Sequence, residues 1–281
     1  MTNPLRELEA LGQSVWYDNI DRAQLQNGMF KNLIVQDGIS GVTANPTIFD
    51  KSIGHGHAYD EQMDQLIREG KSTSEIYETL VITDIRTVAD MLRPIYDRTG
   101  GHDGYVSLEV SPDLAHDTEG TLKEVRRFWQ MVDRPNLMIK IPATPEGIPA
   151  VRQALTEGIN VNITLIFARE VYREVADAYL NALEDRNARG QDISSIASVA
   201  SFFVSRVDTL VDKLLDERIK ATNDPAEQQR LKSLEGKAGI ANARLVYQDF
   251  KEIFHSPRFE TLKHSGAMVQ RPLWASTSTK N

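Results

Sequence analysis

The sequence predicts an α/β fold, a parallel sheet covered by helices, of the (β/α)₈ barrel type but with strand eight and the C-terminal helices missing from this chain. Three observations carry this. Short apolar runs alternate with longer amphipathic stretches, and near-continuously apolar strands are those that helices bury on both faces. No G-x-G-x-x-G and no G-x-x-x-x-G-K-[ST] occurs, so neither a dinucleotide crevice nor a phosphate loop of the doubly wound kind is supported. The 281 residues suit one barrel, for which about 250 is typical, and the whole chain, 1–281, is read as a single barrel domain.

In chain order the apolar runs place strands at Ser14–Ile20, Ile39–Asn45, Gly104–Val110, Asn136–Ile141, Ile159–Phe167, Ser198–Val204 and Pro272–Ala275. They are rich in Val, Ile, Leu and aromatic residues, as strands are. Helical periodicity covers Ala58–Glu69, Ser74–Tyr96, Thr118–Val132, Ile148–Glu157, Arg169–Arg189, Arg206–Lys220, Ala226–Glu235, Ile240–Phe254 and Phe259–His264. Start signals support several of these, with Ser72 or Thr73 ahead of Glu75 and Pro225 ahead of Ala226. Lys51–His57, which holds two glycines, is expected to be a mobile loop. Lys220–Glu235 is charged and is read as an exposed helical addition.

Composition removes several function classes. There is no Cys, so disulfides, a thiolate nucleophile and a zinc–thiolate site are excluded. A formal charge of −8 argues against a nucleic-acid groove. The longest apolar stretches are far short of the roughly 20 residues of a spanning helix, and Met1–Ala10 is charged, unlike a secretory signal. No membrane association is expected, and a cytoplasmic location is the default. A homodimer is admitted by the sequence without being specified by it. His55 and His57 form an H-x-H pair, but no further ligand stands at metal spacing, so no metal site is expected.

Each strand carries a polar residue near its C-terminal end: Asp18, Asn45, Glu109, Lys140, Asn162 with Thr164, Ser201 and Ser276. Those ends form the catalytic face of a barrel. The long intervals Asn45–Glu109 and Ser201–Ser276 leave room for additional helices. Lys140 interrupts the apolar run Leu137–Pro142. Burying an ammonium is costly and favours the neutral amine, a nucleophile that forms Schiff bases with carbonyls. The alternative is a structural ion pair with a carboxylate such as Glu109. Glu109 and Asp18 could divide the proton transfers of Schiff-base chemistry, or merely cap the following segments. Arg206 opens a helix directly after a strand, where an anion can bind, although a solvated arginine is the plainer reading. Ser276, with the hydroxyls after it and Lys280, offers a second place for phosphate or a frayed end.

Three stretches together resemble the transaldolase family. They are Gly41-Val-Thr-Ala-Asn-Pro-Thr47, Asn136-Leu-Met-Ile-Lys-Ile-Pro-Ala-Thr144 with Glu146-Gly147, and Ile159-Asn-Val-Asn-Ile-Thr-Leu-Ile-Phe167. The resemblance runs from about Asp18 to Lys280. It implies a TIM barrel of transaldolase type and transfer of a dihydroxyacetone unit from sedoheptulose 7-phosphate or fructose 6-phosphate to an aldose phosphate. This belongs to the non-oxidative pentose phosphate pathway and needs no metal or organic cofactor. By motif match, Lys140 carries the Schiff base, Glu109 acts through a water, and Asp18 takes the hydroxyl proton that starts C3–C4 cleavage. Asn45 and Asn162 hold the enamine, Thr164 places the catalytic water, and Thr43, Ser201 and Phe203 lie with the substrate. Arg206, in Ser201-x-Phe203-x-x-Arg206, binds phosphate. A glutamate at position 109 favours transfer over the simple cleavage of the related fructose 6-phosphate aldolases, which lack it.

The chain departs from the family pattern twice. Where relatives often place a second phosphate-binding arginine stands Ser278, leaving Lys280 as the nearby cation. No eighth strand and no C-terminal helices are found before Asn281. A longer chain cut here, or a partner supplying the edge, would account for that; some relatives continue into a phosphoglucose isomerase domain. Two rival readings therefore stand: a truncated barrel that only binds sugar phosphate, and a fructose 6-phosphate aldolase-like lyase.

Overall fold

A computed structural model describes residues 3–277. The chain divides into two units, residues up to 114 with 119–140, and residues 115–118 with those from 141 onward.

The first unit contains α1 (Pro4–Ala10), β1 (Val15–Tyr17), α2 (Arg22–Gln26), α3 (Met29–Asp37), β2 (Ile39–Thr43), α4 (Pro46–His55), α5 (Asp60–Arg68), α6 (Thr73–Arg98), β3 (Tyr105–Glu109), nearly all of α7 (Thr118–Val132) and most of β4 (Leu137–Pro142). β1 pairs with β2, β2 with β3 and β3 with β4, all parallel. Of the two start candidates, Ser72 caps α6 in a capping box, its N–H donating to Glu75 Oε2 at 2.9 Å and its hydroxyl accepting from the Glu75 N–H. The apolar face of α6, including Leu80, Ile85, Val88, Ala89 and Leu92, is wholly buried. Beneath it Arg22 donates to Asp84 at 2.7 Å and to the Leu80 carbonyl, while the Tyr59 hydroxyl donates to Asp84 at 2.8 Å. That pairing satisfies a buried guanidinium and a buried carboxylate together.

The second unit contains α8 (Gly147–Thr156), β5 (Val161–Ile166), α9 (Arg169–Ala188), β6 (Ser198–Phe203), α10 (Ser205–Ala221), α11 (Pro225–Lys232), α12 (Ala238–Phe254), α13 (Pro257–His264) and β7 (Arg271–Ala275). β5 pairs with β6 and β6 with β7, again parallel. α9 buries Tyr172, Val175, Ala176, Tyr179 and Leu183. Asp249 of α12 ties that helix to Arg169 and Arg173 of α9.

The fold is therefore α/β, with the strand–helix connectivity of a (β/α) barrel. All seven expected strands form, and no eighth lies among the described residues. The anticipated helices also form, with ends shifted by a few residues. Two expectations need correction. Lys51–His55 is helical, the end of α4, because the Asn45 side chain accepts the Ile48 N–H at 3.0 Å and Pro46 follows at the first helical position. Those start signals outweigh Gly54. The first strand is also shorter than Ser14–Ile20 and leaves Asp18 just past its end. Periodicity does not reveal four helices, α1 to α4. α2 is only 5 residues long, and α3 is bracketed by Gly28 and Gly38 in left-handed conformation. No helix among the described residues is long and apolar enough to cross a membrane.

Candidate active site

In the first unit the parallel register sets Glu109 beside Lys140. Parallel partners point to the same face, and the Lys140 ammonium donates to Glu109 Oε2 at 3.0 Å. Lys140 is buried and also reaches the Ala44 carbonyl at 3.4 Å. Asn45 follows, and its Oδ1 is occupied as the cap of α4. Its amide N–H₂ group is the part suited to donate to a ligand. On the β1 side the Thr43 hydroxyl donates to Asp18 Oδ1 at 2.6 Å. An acceptor-only carboxylate is thus oriented by a buried threonine.

A cavity of about 510 Å³ opens against Asn45 and Glu109. Phe49, Tyr77 and Phe128 give it apolar walls, and Arg127 lines it while paired with Glu78 and Glu124. Glu124 also accepts the Ser111 N–H at 2.7 Å, just beyond Glu109. Nothing in the sequence marks Arg127 or Glu124 as site residues. Both lie on an amphipathic helix where an Arg with a Glu three residues before it reads as an ordinary surface pair.

In the second unit the Ser201 hydroxyl donates to Asn162 Oδ1 at 2.7 Å, and both side chains are buried. Thr164 is 1% exposed, and its hydroxyl has no hydrogen-bond partner among the described residues. A buried hydroxyl of this kind suits a water or a substrate oxygen. The Arg206 guanidinium lies 4.8 Å from the ring centre of Phe203, which itself packs 5.3 Å from Phe167. Ser276 and Ser205 share a hydroxyl hydrogen bond of 2.7 Å. A second cavity, about 530 Å³, is lined by Ser205, Arg206, Thr209, Leu210, Lys213 and Ser276. Lys213 belongs to no sequence motif, although its spacing of seven from Arg206 puts both cations on one face of α10. Lys280 lies outside the described residues.

No group of three or more His, Asp or Glu among the described residues is placed to hold a metal ion. His55 Nδ1 faces the Lys51 carbonyl, and His57 pairs with Asp60.

Comparison with known proteins shows the family. Residues 15–281 match the family model described as transaldolase/fructose-6-phosphate aldolase. The chain belongs to that family. A transaldolase of Thermobifida fusca is 52% identical over 281 residues, covering 100% of this chain and 74% of its own length. A transaldolase of Trichodesmium erythraeum is 50% identical with the same coverage. So is the protein named transaldolase 2 of Nostoc punctiforme. A Cβ on Gly41 would lie 2.2 Å from Trp16 Cε2, and one on Gly147 would lie 2.1 Å from the Pro142 carbonyl oxygen. Neither position has room for a side chain.

Proposed function

We propose that this chain is a transaldolase working through a Schiff base on Lys140. The single observation that supports this most directly is the Lys140–Glu109 pair, a buried amine and a carboxyl group held 3.0 Å apart. The free amine of Lys140 attacks the C2 carbonyl of a ketose phosphate. Glu109, through a water, moves the protons by which the carbinolamine loses water to give the imine. Asp18 then removes the C4 hydroxyl proton, and the C3–C4 bond breaks. The aldose phosphate leaves, and the three-carbon unit remains on Lys140 as an enamine. Attack of that enamine on the aldehyde of a second aldose phosphate, followed by hydrolysis of the imine, completes the transfer.

Asn45, Asn162 and Ser201 are proposed to hold the dihydroxyacetone unit, Thr164 the catalytic water, and Arg206 with Ser276 the phosphate. Thr43 orients Asp18, and Phe203 lies under Arg206. The reaction places the chain in the pentose phosphate pathway, consistent with a cytoplasmic enzyme, and requires no added cofactor. The test is borohydride reduction in the presence of fructose 6-phosphate. A stable mass gain on the peptide carrying Lys140, and turnover that depends on an aldose phosphate acceptor, are expected. No adduct on that peptide would refute the Schiff-base reading. Acceptor-independent cleavage would point to the lyase instead.

A further inference from the structure

β5 does not run evenly beside β6. Its register is Val161 with Ser198, Asn162 with Val199 and Ile163 with Ala200, but then Ile166 with Phe202. Two residues, Thr164 and Leu165, therefore oppose Ser201 alone, which is a β-bulge. Leu165 has φ of 60°, a left-handed conformation disfavoured for any residue with a Cβ and rarely taken by leucine. Its side chain does not account for the strain. Leu165 is 40% exposed, whereas the other five residues of β5 are buried.

The bulge changes which side chains face which way. Strand residues alternate faces, so one inserted residue inverts the order of everything after it. Beyond the bulge, Ile166 is fully buried opposite Phe202, and Phe167 packs on Phe203. An even strand would set Leu165 opposite Phe202 and Ile166 opposite Phe203, and take the Phe167 ring away from Phe203, which carries Arg206 on its face. Before the bulge, the Thr164 carbonyl accepts the Ala143 N–H at 2.8 Å while its hydroxyl stays buried and unpartnered among the described residues.

We infer that Leu165 is a positioning residue for the transfer reaction. Its left-handed backbone holds the bulge that aims the Thr164 hydroxyl and seats Phe167 under the Phe203–Arg206 pair. The inference rests on the transaldolase reading for the roles of Thr164 and Arg206. It predicts that activity follows tolerance of the left-handed region and not the size of the side chain. Gly and Asn adopt that conformation readily, and β-branched residues resist it.

The test is turnover per folded molecule for Leu165→Gly, Leu165→Asn, Leu165→Val and Leu165→Ile, each measured well below its own unfolding range. L165G and L165N should stay within about threefold of the parent kcat, and L165V and L165I should lose roughly tenfold or more. Equal turnover in all four would overturn the positioning role. So would a ranking by apolar size, with Ile and Val above Gly and Asn, which would assign the effect to the side chain. If the β-branched variants do not fold, a tenfold kcat loss in both L165G and L165N overturns the inference, and retained kcat in both supports it. An inactive parent chain overturns the inference together with the transaldolase reading, whereas an active parent with a flat variant series overturns the inference alone.

Discussion

Lys140 and Glu109 are register partners on adjacent parallel strands, with the ammonium 3.0 Å from the carboxylate. Neither side chain is more than about one-fifth exposed, at 9% and 18%. This geometry serves two ends. It compensates a buried charge, which would be expensive alone, and it keeps a proton carrier within reach of any group bonded to Lys140.

The pairing leads to a prediction that separates chemistry from stability. Glu109→Gln keeps the shape and a hydrogen-bond acceptor beside Lys140 but removes the acid–base function. Turnover should fall roughly 10²–10⁴-fold, while borohydride should still trap an adduct on Lys140 after long incubation. Turnover unchanged from the parent would remove Glu109 from the mechanism.

Much of this candidate site is legible in the sequence because barrel chemistry sits at strand ends. A polar residue that closes an apolar run, such as Glu109 or Lys140, is visible without coordinates. What escaped was backbone geometry. Ile163–Phe167 reads as a plain apolar run, and nothing in it signals that Thr164 and Leu165 share one partner. The α4 start was hidden for a different reason. In the sequence Asn45 reads as a ligand to substrate, whereas in the structure its side chain caps α4. Gly54 and Gly56 then made Lys51–His57 look irregular. A lysine on a charged helix, such as Lys213, reads as solvated surface until its neighbours in space are known.

Gly41 yields a prediction about packing. It is the register partner of Trp16, and an added Cβ would meet the indole at 2.2–2.5 Å. The indole cannot retreat freely, since its N–H donates to Asp103 at 3.1 Å. Overpacking of this kind costs about 1–3 kcal/mol, so Gly41→Ala should lower the urea midpoint accordingly. Trp16→Leu in the same chain should recover part of the loss, making the two changes non-additive. Strict additivity would show that the indole does not meet the new methyl group.

Arg206 offers a test of phosphate recognition. Its guanidinium is exposed on the Phe203 ring and lines the cavity that also holds Lys213. A charge-assisted contact to phosphate is worth about 1.5–3 kcal/mol. Arg206→Ala should therefore raise KM for a ketose phosphate by roughly 10–100-fold. It should leave KM for an unphosphorylated ketose nearly unchanged. An equal rise with both sugars would mean that the arginine supports the fold of the site instead of binding the phosphate.

Asp249 links stability to pH. Its buried carboxylate accepts from Arg169 at 2.7 and 2.8 Å and from Arg173 at 2.5 Å. The hydrogen bond from Arg169 is the main cause that holds its pKa down from 3.8 to about 2. A pKa lower in the folded than in the unfolded chain means that folding favours the ionised form. The stabilisation is complete above the unfolded value near 4 and disappears as pH falls through about 2, because both states are then protonated. A shift of this size corresponds to about 2 kcal/mol. Asp249→Asn should lower unfolding free energy by about that amount at pH 7, loosening the hold of α12 on α9. Between about pH 4 and pH 2 the parent should lose stability more steeply than the variant, so their denaturation curves should converge on acidification. Parallel pH profiles for the two proteins would show that Asp249 titrates alike in the folded and unfolded chain, and that its two arginines hold it by packing alone.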